Sequence, residues 1–293
     1  MGRGTKKSPY TRKDVLRLIK KNGGKAEGLD LSGKWFEKGI DLKGLDLSKI
    51  ILKGALFPGN AHLEKTDLVG AHLENAYLND VHLEGAILVN ANLEGAQLWN
   101  AHLEEARLFY ARLAGAFLRG AYLEGTFLET VDWGNFVLYE EKGEAFQPAE
   151  HIYRRLKQWH TEHGLYDVAG KFFYREMEVR RKAQRWREKP HLKLWNWILR
   201  MLCGYGERPE RVIISAAAIV FGLAVAYFLW GSFSSSSFTD TLYYSVASFT
   251  ALGYGQWAPQ PEGWAKGFGA AEAVLGVSMM ALFLVTFTRK MIR

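Results

Sequence analysis

The sequence predicts a multidomain chain built in series. A square coil with short sides comes first, then a helical hairpin, then an all-α membrane domain of two spans with a shorter helix between them. Three observations predict this. Leucine recurs every five residues from 63 to 128 without a break. Between Glu144 and Pro190 the apolar period becomes helical. Beyond about residue 193, two long apolar stretches flank the segment FTDTLYYSVASFTALGYG, Phe238 to Gly255.

Size and charge bound the possibilities. A chain of 293 residues is too long for one ordinary core, so two or three domains are expected. The mean hydropathy of −0.14 averages a polar front and an apolar back. The single cysteine, Cys203, rules out an internal disulfide framework and suits a reducing compartment. No apolar segment follows the basic start MGRGTKKSPYTRKD, so it is no secretory signal and the front is expected in the cytosol. The net charge of +7 is segregated. Ala61 to Asn135 holds eleven acids and four bases, a balance of −7, while His151 to Lys193 holds twelve bases and five acids, a balance of +7. A pI near 9.3 on a soluble domain would point to nucleic acid. Concentrated ahead of an apolar span, the charge points instead to a collar on anionic lipid headgroups, with no nucleic-acid partner.

Residues 1–28 form a helix and cap. Thr11 is placed to cap a helix with Asp14 three residues on, and Asn22-Gly23-Gly24 stops it. Residues 29–139 carry the repeat. Two positions before each leucine stands a small residue, as in Ala86, Ala91 and Ala96. Weaker copies lie upstream at Leu42, Leu47, Leu52 and Phe57, with one extra residue near Pro58-Gly59. Period five fits neither the 3.6 of a helix nor the 2 of a strand, but it fits a square coil turning one leucine and one small residue inward per side. The pattern resembles the pentapeptide-repeat family, whose fold implies a right-handed quadrilateral β-helix of about four pentads per coil. His62, His82 and His102 fall twenty apart and would stack on one face beside Glu64, Glu84, Glu104 and Glu124. A metal ladder is one reading, since His and Glu both ligate. Solvated repeat positions are the preferred one, because Asn92, Arg112 and Tyr122 fill the same slot. Some proteins of the family mimic DNA and bind topoisomerases, but this coil is only moderately acidic. Packing of four coils, or of a coil with the basic collar, is the favoured role, with room for a further cytosolic partner.

Residues 140–192 read as a basic helical linker. One helix ends at Gly164 and a second is broken by Pro190, with apolar residues at Ile152, Leu156, Phe172 and Val179 for mutual packing. His160 and His163, at i and i+3, are read as a surface pair. Residues 193–293 make the membrane domain. Around Trp195 and Trp197, His191 to Cys203 suits a helix lying at the headgroups. Gly204-Tyr205-Gly206 is read as a turn. Val212 to Trp230 is nineteen residues without a charge, enough to span ~30 Å of hydrocarbon. The second span runs from about Trp264 to Thr288. Arg208 and Arg211 before the first span, with Arg289, Lys290 and Arg293 after the second, put both termini in the cytosol of a plasma-membrane protein.

Non-helical backbone is tolerated at membrane depth only where protein buries it or a cavity opens to it. Helix, half-helix with a Gly-rich end, helix is therefore the layout of an ion pore. Ser248-Phe249-Thr250-Ala251-Leu252-Gly253-Tyr254-Gly255 resembles the SFTTVGYG-like run of the two-transmembrane prokaryotic potassium channels. That resemblance implies a homotetramer with a re-entrant pore helix. It also implies a selectivity filter of Thr250, Ala251, Leu252, Gly253, Tyr254 and Gly255 whose backbone carbonyls replace the hydration shell of K⁺. Three departures matter. Ala251 stands for the threonine that completes the innermost site, Leu252 for valine, and Gln256 for the aspartate after the last glycine. K⁺ is the expected permeant ion, with selectivity open to relaxation. Gln256 and Glu272 are the candidate filter supports, Glu272 as a carboxylate bonded behind the filter. Gly276 falls where the family bends its inner helix. Phe283 and Phe287 are candidates for a gate that closes by dewetting, alongside ordinary helix packing.

Neither a further sensing domain after Thr288 nor an Arg-rich voltage-sensing helix is found, so gating input is expected through the coil, the hairpin or the lipid. The function read from the sequence is a tetrameric cation channel, potassium-conducting, with a cytosolic repeat domain for assembly or gating. The alternatives are a membrane-anchored repeat scaffold and a non-selective cation channel. No nucleophile–base pair or phosphate loop appears, so an enzyme is not expected, nor any cofactor or metal beyond K⁺ held by filter carbonyls.

Overall fold

The computed structural model describes residues 2–184, 190–230, 237–252, 261 and 263–291. The chain divides into two compact units, Met1–Ala183 and Gln184–Arg293.

In the first unit, α1 (Arg12–Lys21) opens with a full capping box. The Thr11 side chain accepts from the Asp14 N–H, and the Asp14 carboxylate accepts from the Thr11 N–H. Its Val15 is buried in the same core as the coil leucines, so the helix closes the start of the coil. The coil itself is held by parallel single-residue bridges. His62 pairs with His82, His82 with His102, and His102 with Tyr122, a spacing of 20. Within one such turn the bridged residues His72, Tyr77, His82 and Ile87 are five apart, which gives four sides. Each rung is two backbone bonds; the Leu63 N–H donates to the His82 carbonyl at 2.8 Å and the His82 N–H to the Ala61 carbonyl at 2.9 Å.

No side grows beyond one bridge because each pentad ends in a corner. Gly70, Asn75, Asp80, Gly85, Asn90, Gly95 and Asn100 all sit at φ between 52 and 66°. A left-handed corner costs an ordinary L-residue roughly 1–2 kcal/mol, which is why Gly, Asn and Asp recur there. Ala86, Leu88, Ala91, Leu93, Ala96 and Leu98 are fully buried, as the five-residue period requires. Where threonine replaces the small residue, its hydroxyl is satisfied: Thr66 donates to the Leu42 carbonyl and Thr126 to the Leu103 carbonyl. Upstream, bridged residues are six apart between Trp35 and Asp41 and again between Leu56 and His62. The extra residue expected near Pro58-Gly59 is therefore stacked on a second one near Lys38-Gly39, which the weak early repeats hid. The Gly39 N–H donates to the Pro58 and Gly59 carbonyls, joining the two insertions.

The far end of the coil is covered by α2 (Tyr139–Lys142), α3 (Phe146–Glu162) and α4 (Tyr166–Ala183). The α3–α4 hairpin, which composition presents as a linker, shares the coil's core. Ile152, Tyr153, Leu156, Phe172 and Val179 join it, and Phe172 meets Trp133 and Phe136 edge-on with centroids 5.1 and 5.3 Å apart. The Tyr153 hydroxyl bonds the Leu138 N–H, the Phe136 carbonyl and the Glu141 carboxylate. Burial alone would raise the Glu141 carboxyl, but Lys182 and Arg175 hold it below its usual range. Six of the collar's twelve bases close on buried glutamates of this unit: Arg154, Lys157 and Arg180 pair with Glu176, Arg181 with Glu178, and Arg175 and Lys182 with Glu141. The reading of the collar as lipid-facing is corrected for these six bases. Arg185, Arg187 and Lys189 lie outside the described residues.

A second correction concerns His160. It is no surface residue but fully buried beside Trp133, Trp159 and Phe172, while His163 is exposed and stacks on Trp159. An extended hydrophobic end on the coil demanded a cover, and the helix turned the face bearing His160 toward it.

In the second unit, α5 (Pro190–Cys203) leads through the turn Gly204–Gly206, with Tyr205 at φ 59°, into α6 (Pro209–Leu229). Then come α7 (Phe238–Thr250) and α8 (Trp264–Met291). Two stretches, Pro209–Leu229 and Trp264–Thr288, are long and apolar enough to cross a membrane. Only 17% and 22% of their apolar windows is buried within the chain, whereas the core helix of a soluble protein is mostly buried.

Desolvation lowers the His160 imidazole to about 4 from an ordinary value of 6.5. The unfolded chain therefore binds the extra proton between those values. Stability from the neutral, buried ring is complete above pH 6.5 and is lost as pH falls toward 4, by on the order of 3 kcal/mol. Protection of the α3 and α4 amides, with exchange rates corrected for their intrinsic pH dependence, should fall across that window in the native chain and lose most of this pH dependence in His160→Gln.

Candidate pore site

The half-helix α7 is capped at its start, where the Ser237 hydroxyl accepts from the Thr239 N–H at 3.3 Å. At its end the Thr250 hydroxyl donates back to the Val246 carbonyl at 2.7 Å. Ala251 then leaves the helix in the left-handed region, at φ 54° and ψ 24°. For an alanine this conformation is strained, so the surroundings must hold it. Leu252 follows, 83% exposed in the single chain. Of the filter residues expected from the sequence, Thr250, Ala251 and Leu252 are thus placed. Gly253, Tyr254, Gly255 and the support Gln256 lie outside the described residues.

One stripe of α8 supports α7. Ala265, Gly269, Glu272, Gly276 and Met279 recur at three- and four-residue steps, and their face meets α7 and α6. A Cβ on Gly269 would overlap the Tyr244 hydroxyl, and one on Gly276 would overlap the Phe249 carbonyl oxygen. Gly276, the expected bend, is therefore the point where the last turn of α7 lies directly on the α8 backbone. Between the two glycines the Glu272 side chain is 2% exposed. The Ser245 hydroxyl of α7 donates to its Oε1, and the Tyr227 hydroxyl of α6 donates to its Oε2 at 3.1 Å. Ser245 Oγ also lies 2.9 Å from the Val220 carbonyl of α6. Glu272 thus ties three helices together. Among the described residues its partners are these two hydroxyls, while the filter backbone it was expected to support falls outside them.

Aromatic contacts extend the tie. Tyr227 meets Tyr244 edge-on at 5.4 Å and stacks with Trp264 at 5.6 Å, and the Tyr244 hydroxyl donates to the Ala265 carbonyl at 3.2 Å. Lower on α8, Phe249, Val212, Cys203 and Met279 form a second apolar cluster, with Phe283 packed against it. The Phe283 and Phe287 rings stack at 5.5 Å, and Phe287 remains 44% exposed. Sequence reasoning missed Tyr227, Tyr244, Ser245 and Gly269. The available signal was hydroxyl side chains within or beside apolar spans, which need an internal partner.

The comparisons agree with this division. Residues 213–293 match the family model described as ion channel. Residues 59–95 and 86–125 match the model for pentapeptide repeats. The chain thus joins a C-terminal ion-channel segment to an N-terminal run of pentapeptide repeats. Among solved structures, it is similar to a pentapeptide repeat protein from the cyanobacterium Cyanothece 51142, at 38% identity, TM-score 0.25, covering 33% of this chain and 61% of that one. It is also similar to a pentapeptide repeat protein from the Arabidopsis thaliana thylakoid lumen, at 29% identity, TM-score 0.32, covering 36% and 72%. The chain therefore spans less than two thirds of the first of these relatives. No curated protein matches it.

Two substitutions check the site. Gly276→Ala should separate α7 from α8 and sharply reduce the yield of folded protein, read by size-exclusion profile and thermal melting in detergent. Glu272→Leu removes the acceptor shared by the Tyr227 and Ser245 hydroxyls and should destabilise the fold by about 1–3 kcal/mol, with Ser245 falling back on the Val220 carbonyl. Glu272→Gln, which keeps one carbonyl acceptor, should lower Tm by clearly less.

Proposed function

We propose that four copies of this chain surround one axis and form a cation channel that favours K⁺. The observation that carries this is α7. It is a short helix seated between two apolar spans, pinned through Ser245 and Glu272, and released at left-handed Ala251 directly ahead of Gly253-Tyr254-Gly255. One pair of spans cannot enclose a pore. The recess lined by Ala251, Ala273, Val274, Val277 and Ser278, open in the single chain, is the surface that would face the shared axis. Four α7 C-termini would point partial negative charge at the cavity, favouring a cation. Filter carbonyls would then take the place of its water.

The departures set the character of the pore. Ala251 offers no hydroxyl to the innermost site, and Gln256 brings no negative charge to the outer mouth. Both weaken ion binding without removing the carbonyls, so a K⁺ preference with relaxed stringency fits best. The basic residues outside the spans favour a cytosolic side for both termini, as expected of a plasma-membrane protein. The β-helix then serves assembly or gating there, with lipid or a further cytosolic protein as the input. Its role is conduction, not catalysis, and K⁺ is the permeant ion rather than a cofactor.

Reconstitution into vesicles with opposed K⁺ and Na⁺ gradients tests this. Flux with K⁺ ahead of Na⁺ is expected, and Ala251→Thr should raise the ratio. Equal fluxes would make the protein a non-selective cation channel. No flux from a folded tetramer would make it a membrane-anchored scaffold.

A further inference from the structure

The coil carries a column of imidazoles that pore function does not use. His62, His82 and His102 lie on successive rungs of one side, with centroids 4.9 and 4.7 Å apart and planes within 14° and 9°. Tyr122 continues the stack at 4.4 Å. Behind each ring stands the glutamate of its own pentad. Nδ1 to carboxylate distances are 3.0 Å for His62–Glu64, 2.8 Å for His82–Glu84 and 3.1 Å for His102–Glu104. The second oxygen of each of these carboxylates is buried without a hydrogen-bond partner among the described residues.

We propose that this column binds a borderline divalent transition-metal ion of the copper, nickel or zinc type. A carboxylate that accepts the Nδ1–H leaves the lone pair on Nε2, the form in which imidazole ligates. It also fixes the ring, the arrangement found behind most metal-bound histidines. The ligand atoms of His62, Glu64 and His82 lie within 4.8 Å of one another, as do those of His82, Glu84 and His102. With metal–nitrogen bonds near 2.1 Å, two cis or tetrahedral ligand nitrogens stand about 3 to 3.4 Å apart, so neighbouring stacked rings must rotate out of their parallel planes until their Nε2 lone pairs converge. The rings are 25 to 35% exposed, so solvent leaves room for that rotation and for water to complete the sphere. His82 belongs to both pairs and is the necessary member. His72 has a glutamate of its own at 3.2 Å but bridges Ile51 and Asn92, so it has no stacked imidazole.

The test is calorimetric titration of the full tag-free chain in detergent with Cu²⁺, Ni²⁺ and Zn²⁺. Saturable binding is expected, with Cu²⁺ tightest. His82→Asn should abolish it, and the fold tolerates asparagine at this pentad position, as Asn92 shows. His72→Asn should bind as the unsubstituted chain does. Glu84→Gln should weaken binding by about 10- to 100-fold, the usual effect of removing a ligand's support. Absence of saturable binding to all three ions, or equal binding by His82→Asn, overturns the proposal. Neither result bears on conduction, because the readout is heat of metal binding.

Discussion

Every backbone N–H and C=O taken from water must find a partner, and both units are solutions to that constraint. In the coil the partner lies one turn away, 20 or 21 residues along the chain, and the left-handed corner returns the strand to it. Leucine and alanine then fill the only space left inside. In the membrane segment the helices satisfy themselves, and the exception is the chain beyond Ala251. Irregular backbone at that depth demands a protein or aqueous surrounding, which is why a half-helix ending there implies a pore.

Holding such a helix needs more than apolar packing, since lipid offers side chains the same environment as a neighbouring helix. Glu272 supplies direction. Its two oxygens take hydroxyls from two different helices, so sliding or rotating any one of the three breaks a buried bond. Gly269 and Gly276 supply proximity, since a single methyl group at either place would meet Tyr244 or the Phe249 carbonyl. Close approach and polar attachment thus work at alternating steps of one helical stripe.

The basic collar shows how composition misleads when partners are unknown. A balance of +7 ahead of a span resembles a lipid anchor, yet six of its twelve bases close on Glu141, Glu150, Glu176 and Glu178 within their own unit. Likewise His160 and His163 differ by one turn of helix but not in local sequence character. One is buried against Trp133 and Phe172 while the other remains in water.

By itself the sequence determined whatever is periodic or strictly local. The five-residue coil, the Thr11 cap, the two spans and the order of α5 to α8 follow from repeat length, capping chemistry and uninterrupted apolar runs, which act over a few residues. Tertiary structure alone decided the second insertion near Gly39, the seating of the hairpin on the coil, and the union of Tyr227, Ser245 and Glu272. Those pairs are separated by 18 to 45 positions in the chain. Contacts of that kind are set by which surfaces are left uncovered once the local elements have formed, and no short-range pattern encodes them.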